Sequence, residues 1–236
     1  MPFVRLTLAA ALVAALPLAA CGASNSASSS GESASALVAA SSDSLPAKGD
    51  TSLERRADRA RIQGSEQAPL WIVEVSDFQC PYCRSWHEQT YPTIVKEFVE
   101  TGKVRLAYIN FPIPGHRNAW PAAEAAMCAA AQGHFWPMHD ALFDSQEKWE
   151  GLPDPAPVFD SLATAAGVDL DKFHDCVSKH EMRALIQADI DRASESGVAA
   201  TPTFMIGSET ISGAQPADAF RQIIAKELQA KSGQGS

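Results

Sequence analysis

Trp71-Ile72-Val73-Glu74-Val75-Ser76-Asp77-Phe78-Gln79-Cys80-Pro81-Tyr82-Cys83 is the stretch on which the reading of this chain turns. Its first five residues form an apolar run rich in β-branched side chains, the pattern of a strand buried on both faces of a sheet. Trp86, Tyr91, Ile94, Val95 and Phe98 then follow at mostly helical spacing, and Gly102 is a stop signal. The spacing predicts one helix from Pro81 to about Thr101. Val104 to Phe111 reads as a second strand, which completes a strand–helix–strand unit.

The CxxC pair therefore sits where a buried strand gives way to a helix, and that position separates the chemistry of its two sulfurs. Unpaired N–H groups and the positive end of the helix dipole stabilise an anion at a helix start, so Cys80 is expected to be an exposed nucleophile with a lowered pKa. Pro81 has no N–H to lose and suits the first turn. Cys83, one turn inward, is shielded and suited to resolving a mixed disulfide. Arg84 stands where covalent haem attachment needs histidine.

Further along, Asn118 to Gly197 carries helical patterns punctuated by Gly133, by Pro153 to Pro157 and by Gly167, with no convincing strand. Thr203-Phe204-Met205-Ile206 and Glu209-Thr210-Ile211 flank Gly207-Ser208 as a hairpin, and Ala217 to Lys231 closes the chain as an amphipathic helix.

On the N-terminal side, Arg55-Arg56-Ala57-Asp58-Arg59-Ala60-Arg61 reads as a solvated approach to the first strand. Before it, Ala23 to about Ser44 is Ser/Ala-rich and too poor in large apolar groups to fold alone. Leu6 to Ala20 is apolar but too short to span a bilayer comfortably, follows a start carrying Arg5, and ends on small residues, the layout of a secretory signal. Leu18-Ala19-Ala20-Cys21-Gly22 resembles the lipobox of bacterial lipoproteins, which implies that Cys21 is lipidated; ordinary signal cleavage nearby, with Cys21 trimmed or left free, is the other reading. The 236 residues are 46% hydrophobic and 20% charged, a globular balance, and 19 basic against 28 acidic residues argue against a nucleic-acid partner.

The order strand, Asp77-Phe78-Gln79-Cys80-Pro81-Tyr82-Cys83, helical insertion, then Gly197-Val198-Ala199-Ala200-Thr201-Pro202-Thr203-Phe204 resembles the DsbA-like thiol–disulfide oxidoreductases of the thioredoxin superfamily. Ala125-Ala126-Met127-Cys128-Ala129 and Phe135-Trp136-Pro137-Met138-His139-Asp140-Ala141-Leu142-Phe143 are similar to that family's helical domain. The resemblance covers about residues 60–230. It implies an α/β protein with a thioredoxin fold and an inserted all-helical domain: a signal over 1–20, a lipidated tether over 21–52, a thioredoxin-like domain over 53–112 and 197–232, and the insertion over 113–196.

It also implies roles. Pro202 is cis and packs against Cys80 of the redox pair Cys80–Cys83, Thr201 offers its backbone to an extended substrate, and Glu74 is a buried acid that exchanges protons with Cys83, a solvated sheet-edge position being the other reading of Glu74. With Cys21 set aside, four cysteines allow three pairings. Similar cysteines in some family members imply a structural Cys128–Cys176 bridge between two insertion helices; two buried thiols that never meet are the other reading. Neither cofactor nor metal is expected.

The expected activity is dithiol oxidation in exported proteins, by a monomer held on a bacterial membrane by its lipid and reoxidised by a membrane partner of the DsbB or vitamin-K-epoxide-reductase type. Reduction or isomerisation on the same fold is the near alternative. A structural zinc site of Cys80, Cys83, Cys128 and Cys176 is the distant one, with poor spacing for it. His116, His134, His139, His174 and His180 form no metal or triad spacing, and His87 is expected at a partly exposed helix position. Trp120, Phe135, Trp136 and Trp149 are expected in the core.

Overall fold

The computed structural model describes residues 52–233. The chain runs through α1 (Leu53–Ala60), β1 (Ile62–Gln63), β2 (Leu70–Ser76), α2 (Pro81–Gln89), α3 (Tyr91–Ile94), a wide helical turn over Val95–Val99, and β3 (Val104–Asn110). Six helices follow: α4 (Ala119–Ala130), α5 (Phe135–Asp144), α6 (Gln146–Trp149), α7 (Ala156–Ala165), α8 (Leu170–Ser178) and α9 (Arg183–Glu195). β4 (Thr203–Ile206), β5 (Glu209–Ser212) and α10 (Ala217–Gly233) complete the fold.

The five strands form one sheet in the order β1-β3-β2-β4-β5. β2 lies at its centre, parallel to β3 with Glu74 opposite Tyr108, and antiparallel to β4 with Glu74 opposite Phe204. Being central and covered on both faces, β2 is apolar on both, which is why it reads as a run rather than an alternation. Leu70, Ile72, Leu106 and Phe204 pack with Trp86, Ile94, Phe220 and Ile224 from α2, α3 and α10. On the other face Val73, Val75 and Met205 meet Ala193 and Val198. Side chains alternate along a strand, so Glu74 shares the face of Leu70 and Ile72.

Gly207 makes the β4–β5 turn with φ +59°, and the Glu227 carboxylate on α10 fills the space a side chain there would need. That carboxylate accepts from Ser208 N at 3.1 Å and Ser208 Oγ at 2.7 Å, tying the hairpin to the closing helix.

Two expectations need correction. The helix foreseen from Pro81 to Thr101 breaks at Thr90. Pro92 has no N–H to donate, α3 restarts with a proline in its first turn, and the chain widens over Val95–Val99 before reaching Gly102. The Arg-rich approach is not simply solvated. Its residues form α1, which packs on the helical block, and Arg61 is buried. The Arg61 guanidinium bonds the carboxylates of Asp58 and Asp189, while Asn110 N and Nδ2 each donate to Asp189 Oδ2 at 3.1 Å. A charge cluster so placed ties α1 and β3 to α9.

The helical block is built around α4, whose alanines at 122, 123, 125, 126, 129 and 130 are all buried. Small side chains let α5, α7 and α8 approach it closely. Cys128 on α4 and Cys176 on α8 form a disulfide with Cα atoms 5.8 Å apart, closing a loop of 48 positions.

Candidate active site

β2 ends at Ser76, and the turn Asp77–Gln79 delivers Cys80 to the start of α2. Cys80 is the N-cap residue, its side chain makes no capping bond, and Pro81 occupies the first turn. The turn is fixed by Asp77, whose buried carboxylate accepts from Gln79 N at 2.8 Å, Ile113 N at 2.9 Å and His116 Nδ1 at 2.6 Å. Helix α6 braces it from the insertion: Gln146 Nε2 donates to Phe78 O at 2.7 Å and to Cys80 O at 3.2 Å. Gln79 Oε1 accepts from Asn118 N at 2.7 Å and its Nε2 donates to Glu150 O at 3.0 Å. The bracing roles of Gln146, Asp77 and Gln79 escaped the sequence reading because their partners in and beside the insertion lie 36–71 positions away; Asp77 and Gln79 stand out in the sequence only as part of the stretch leading into the CxxC.

The two cysteines are free thiols here. Cys80 Sγ–H donates to Thr201 O at 3.5 Å, and the Thr201–Pro202 peptide bond is cis. The late Thr-Pro pair and the CxxC, 121 positions apart, therefore face each other. Cys80 is less open than the sequence suggested, at 4% exposed, whereas its neighbour Tyr82 is 66% exposed and marks the accessible surface.

The electrostatics separate the sulfurs strongly. Hydrogen bonding from the Cys83 thiol pulls the Cys80 pKa down to about 6; burial opposes this, and Thr201 with the backbone N–H groups of Cys83 and Tyr82 adds to it. The helix start contributes as expected, but the partner thiol contributes more. Burial pushes Cys83 well up, and the adjacent Cys80 raises it further. One sulfur ionises readily and the other holds its proton.

Glu74 is fully buried, and neither carboxylate oxygen has a hydrogen-bond partner. Burial raises its pKa to about 8, with the Ser76 hydroxyl opposing. Ser76 also lowers the pKa of Cys83, which places that serine's influence on both groups. Below about pH 4.5 Glu74 is neutral in both folded and unfolded chains. Between about 4.5 and 8 the unfolded chain ionises and the folded one does not, so stability falls as pH rises through that window and levels off above it. At neutral pH the penalty is on the order of 3 kcal/mol. Glu74→Leu is therefore expected to raise Tm near pH 8 and to change it little near pH 4; an equal gain at both would contradict this origin.

The cysteines outside the site constrain the alternatives. Cys128 and Cys176 are bonded to each other, and a disulfide sulfur is no thiolate ligand, so the four-cysteine zinc reading does not fit this arrangement. Cys21 lies outside the described residues. His87 is buried rather than partly exposed, because α5 covers α2 at that point. It meets His139 of α5 with ring centroids 5.3 Å apart, a pairing that no sequence spacing disclosed.

A central strand, a dithiol capping a helix and a cis-proline loop against its first sulfur define a protein of thiol–disulfide exchange chemistry. The thioredoxin family model matches residues 56–226, and the chain belongs to that family. It is 30% identical to the probable disulfide bond formation protein D of Bacillus anthracis over 169 residues, which are 70% of this chain and 76% of that protein. It is 36% identical over 150 residues to Na(+)/H(+) antiporter NhaA 3 of Salinispora tropica, 63% of this chain but only 22% of the antiporter. The chain thus spans about a fifth of that relative. Among the described residues no helix is long and apolar enough to cross a membrane.

In fold it is similar to oxidised BdbD of Bacillus subtilis, with a TM-score of 0.66 at 24% identity over 72% of this chain and 92% of that one. Alpha-DsbA1 of Wolbachia pipientis gives 0.67 at 21% identity over 83% and 99%. The thioredoxin fold with a helical insertion is thereby established.

Proposed function

We propose that this chain is an extracytoplasmic dithiol oxidase that introduces disulfides into exported proteins through Cys80 and Cys83. The observation that carries the reading is the geometry of the pair: Cys80 caps the start of α2 with its Sγ 3.5 Å from Thr201 O beside the cis Pro202, and Cys83 lies fully buried one turn inward. A substrate thiolate attacks Cys80 of the oxidised pair, forms a mixed disulfide, and expels the Cys83 sulfur, which takes up a proton. A second substrate thiol attacks the substrate sulfur of that bond, and Cys80 leaves as a thiolate; the substrate is oxidised and the pair reduced. Glu74 serves as the proton donor and acceptor for Cys83. Thr201, beside Pro202, pairs its backbone with the extended substrate.

Direction follows from energies of modest size. A thiolate whose pKa is pulled from 9 to about 6 stabilises the reduced form at pH 7 by on the order of 1 kcal/mol, a few tens of millivolts toward the oxidant side. This stabilisation is full above pH 9 and is lost as pH falls through 6. Equilibration with glutathione tests the direction: a potential above about −200 mV is expected, and one near −270 mV, the thioredoxin range, would turn the reading to a reductase.

The remaining parts of the proposal rest on the sequence. Residues 1–20 are a signal, Cys21 is the lipidated anchor to a bacterial membrane, and residues 21–52 are the tether. The thioredoxin-like domain takes 53–112 and 197–232 around an insertion at 113–196. The enzyme works as a monomer without cofactor or nucleic acid, and a quinone-linked membrane protein of the DsbB or vitamin-K-epoxide-reductase type reoxidises it. The lipobox at Leu18–Gly22 and the acidic charge support this.

A further inference from the structure

We propose that the arginine face of α1 docks this domain on a bilayer of anionic phospholipid, an inference that rests on the tether proposed above for bringing the domain to a membrane. Arg55 to Arg61 reads in sequence as a run of mixed charge, but the helix sorts its members. Arg55 and Arg59 are four positions apart and Arg56 and Arg59 three, so the three guanidinium groups share one face, and all three residues are exposed. Asp58, the acid that would dilute them, is buried and bonds the buried Arg61.

This face borders a cavity of about 620 Å³. Arg55, Arg56 and Arg59 line it from α1, the small residues Ala130 and Ala131 leave it room at the end of α4, and Lys172 of α8 adds a fourth cation. Among the described residues no acid lines it. Lys172 Nζ also meets Asp169 Oδ2 at 2.6 Å, but the lysine side chain is 72% exposed, and so open an ion pair is weak and yields to competing anions.

Charge and chain connection select the partner. The whole chain carries a formal charge of −9, so an anionic surface repels it except where cations are concentrated. Near such a surface each Lys or Arg gains roughly fivefold in binding. Ser52, the N-cap of α1, is where the tether from Cys21 joins the fold. A tether over 21–52 spans roughly 30 Å, so α1 is the first folded element along the chain from the anchor and lies within reach of the headgroups. The redox turn stays uncovered: α4 starts beside it, where Asn118 N donates to Gln79 Oε1, and the end of α4 that lines the cavity is about 18 Å further along the helix.

The test uses the full chain carrying Cys21→Ala, so that no acyl group forms, and vesicles of phosphatidylcholine alone or with about one-third phosphatidylglycerol. The apolar stretch at residues 6–20 meets both vesicles alike and cancels in the comparison. Cosedimentation at low salt is expected to show a preference of about tenfold or more for the anionic vesicles, lost near 1 M salt, where the screening length is about 3 Å. Arg55→Gln/Arg56→Gln/Arg59→Gln, shown by circular dichroism to be folded, is expected to lose that preference, and the matching triple lysine variant to keep it. Lys172→Gln, on a different element, is expected to weaken it roughly fivefold. Equal binding to the two vesicles, a preference that survives the glutamine variant, or one lost in the folded lysine variant overturns the docking. So does binding of poly-glutamate or inorganic phosphate without a vesicle preference. Dithiol oxidation by the same samples, expected unchanged, and the mass of the native N-terminal peptide test the oxidase and the anchor separately.

Discussion

Cys80→Ser is expected to reduce dithiol oxidation to the uncatalysed background, while Cys83→Ser accumulates substrate in mixed disulfides. The asymmetry follows from the two environments. The first sulfur lies 3.5 Å from Thr201 O and its pKa is pulled down to about 6, so in the proposed cycle it is both the atom attacked and the better leaving group. The second has no exposure and a raised pKa, so in the proposed cycle incoming thiols do not reach it and it re-forms the bond from within. Serine at position 80 cannot form a disulfide and leaves no redox pair. Serine at position 83 leaves the Cys80 thiolate free to attack a substrate disulfide but removes the group that resolves the resulting intermediate. Non-reducing gels of each reduced variant with a disulfide-containing substrate measure the trapping, since the Cys80 thiolate attacks one substrate sulfur and releases the other as a thiolate, and turnover in Cys80→Ser would show that the nucleophile is misassigned.

The second large effect is on stability. The Cys128–Cys176 bond closes a loop of 48 positions, and in the chain-entropy model its removal costs about 4 kcal/mol. For a folded body of this size that corresponds to a fall in Tm of roughly 8–16 °C. The expected outcome for the Cys128→Ala/Cys176→Ala variant is this loss with exchange activity per folded molecule retained, because the bond joins α4 to α8 and does not touch the Cys80 loop. Thermal melts beside activity measurements well below Tm separate the two. A variant as stable as the parent would mean that the alanine-packed helices alone hold the block.

What the sequence disclosed and what it withheld have physical causes. β2 was legible because a doubly covered strand must be apolar throughout, and the dithiol was legible because a CxxC at a strand end has few other meanings. The late Thr201-Pro202 pair was found through resemblance; nothing in its local chemistry marks a cis bond. The break at Thr90 was obscured because Trp86, Tyr91, Ile94 and Phe98 keep an apolar face through it, and periodicity responds to faces rather than to the N–H that Pro92 lacks. The bracing of the loop by Gln146 and Asn118, the burial of Arg61 between Asp58 and Asp189, and the meeting of His87 with His139 were invisible for one shared reason. Each depends on how the insertion closes over the sheet, and no spacing within one element encodes that.

The account stands on the ease with which one sulfur gives up its proton. Following thiolate absorbance of the reduced chain against pH, with Cys83→Ser as the assignment control, tests it most directly. A first ionisation near pH 6, absent from Cys80→Ser and shifted upward when Cys83 no longer donates to it, is the result predicted here. A single ionisation at about 8.5 or above, as for an ordinary cysteine, would contradict it.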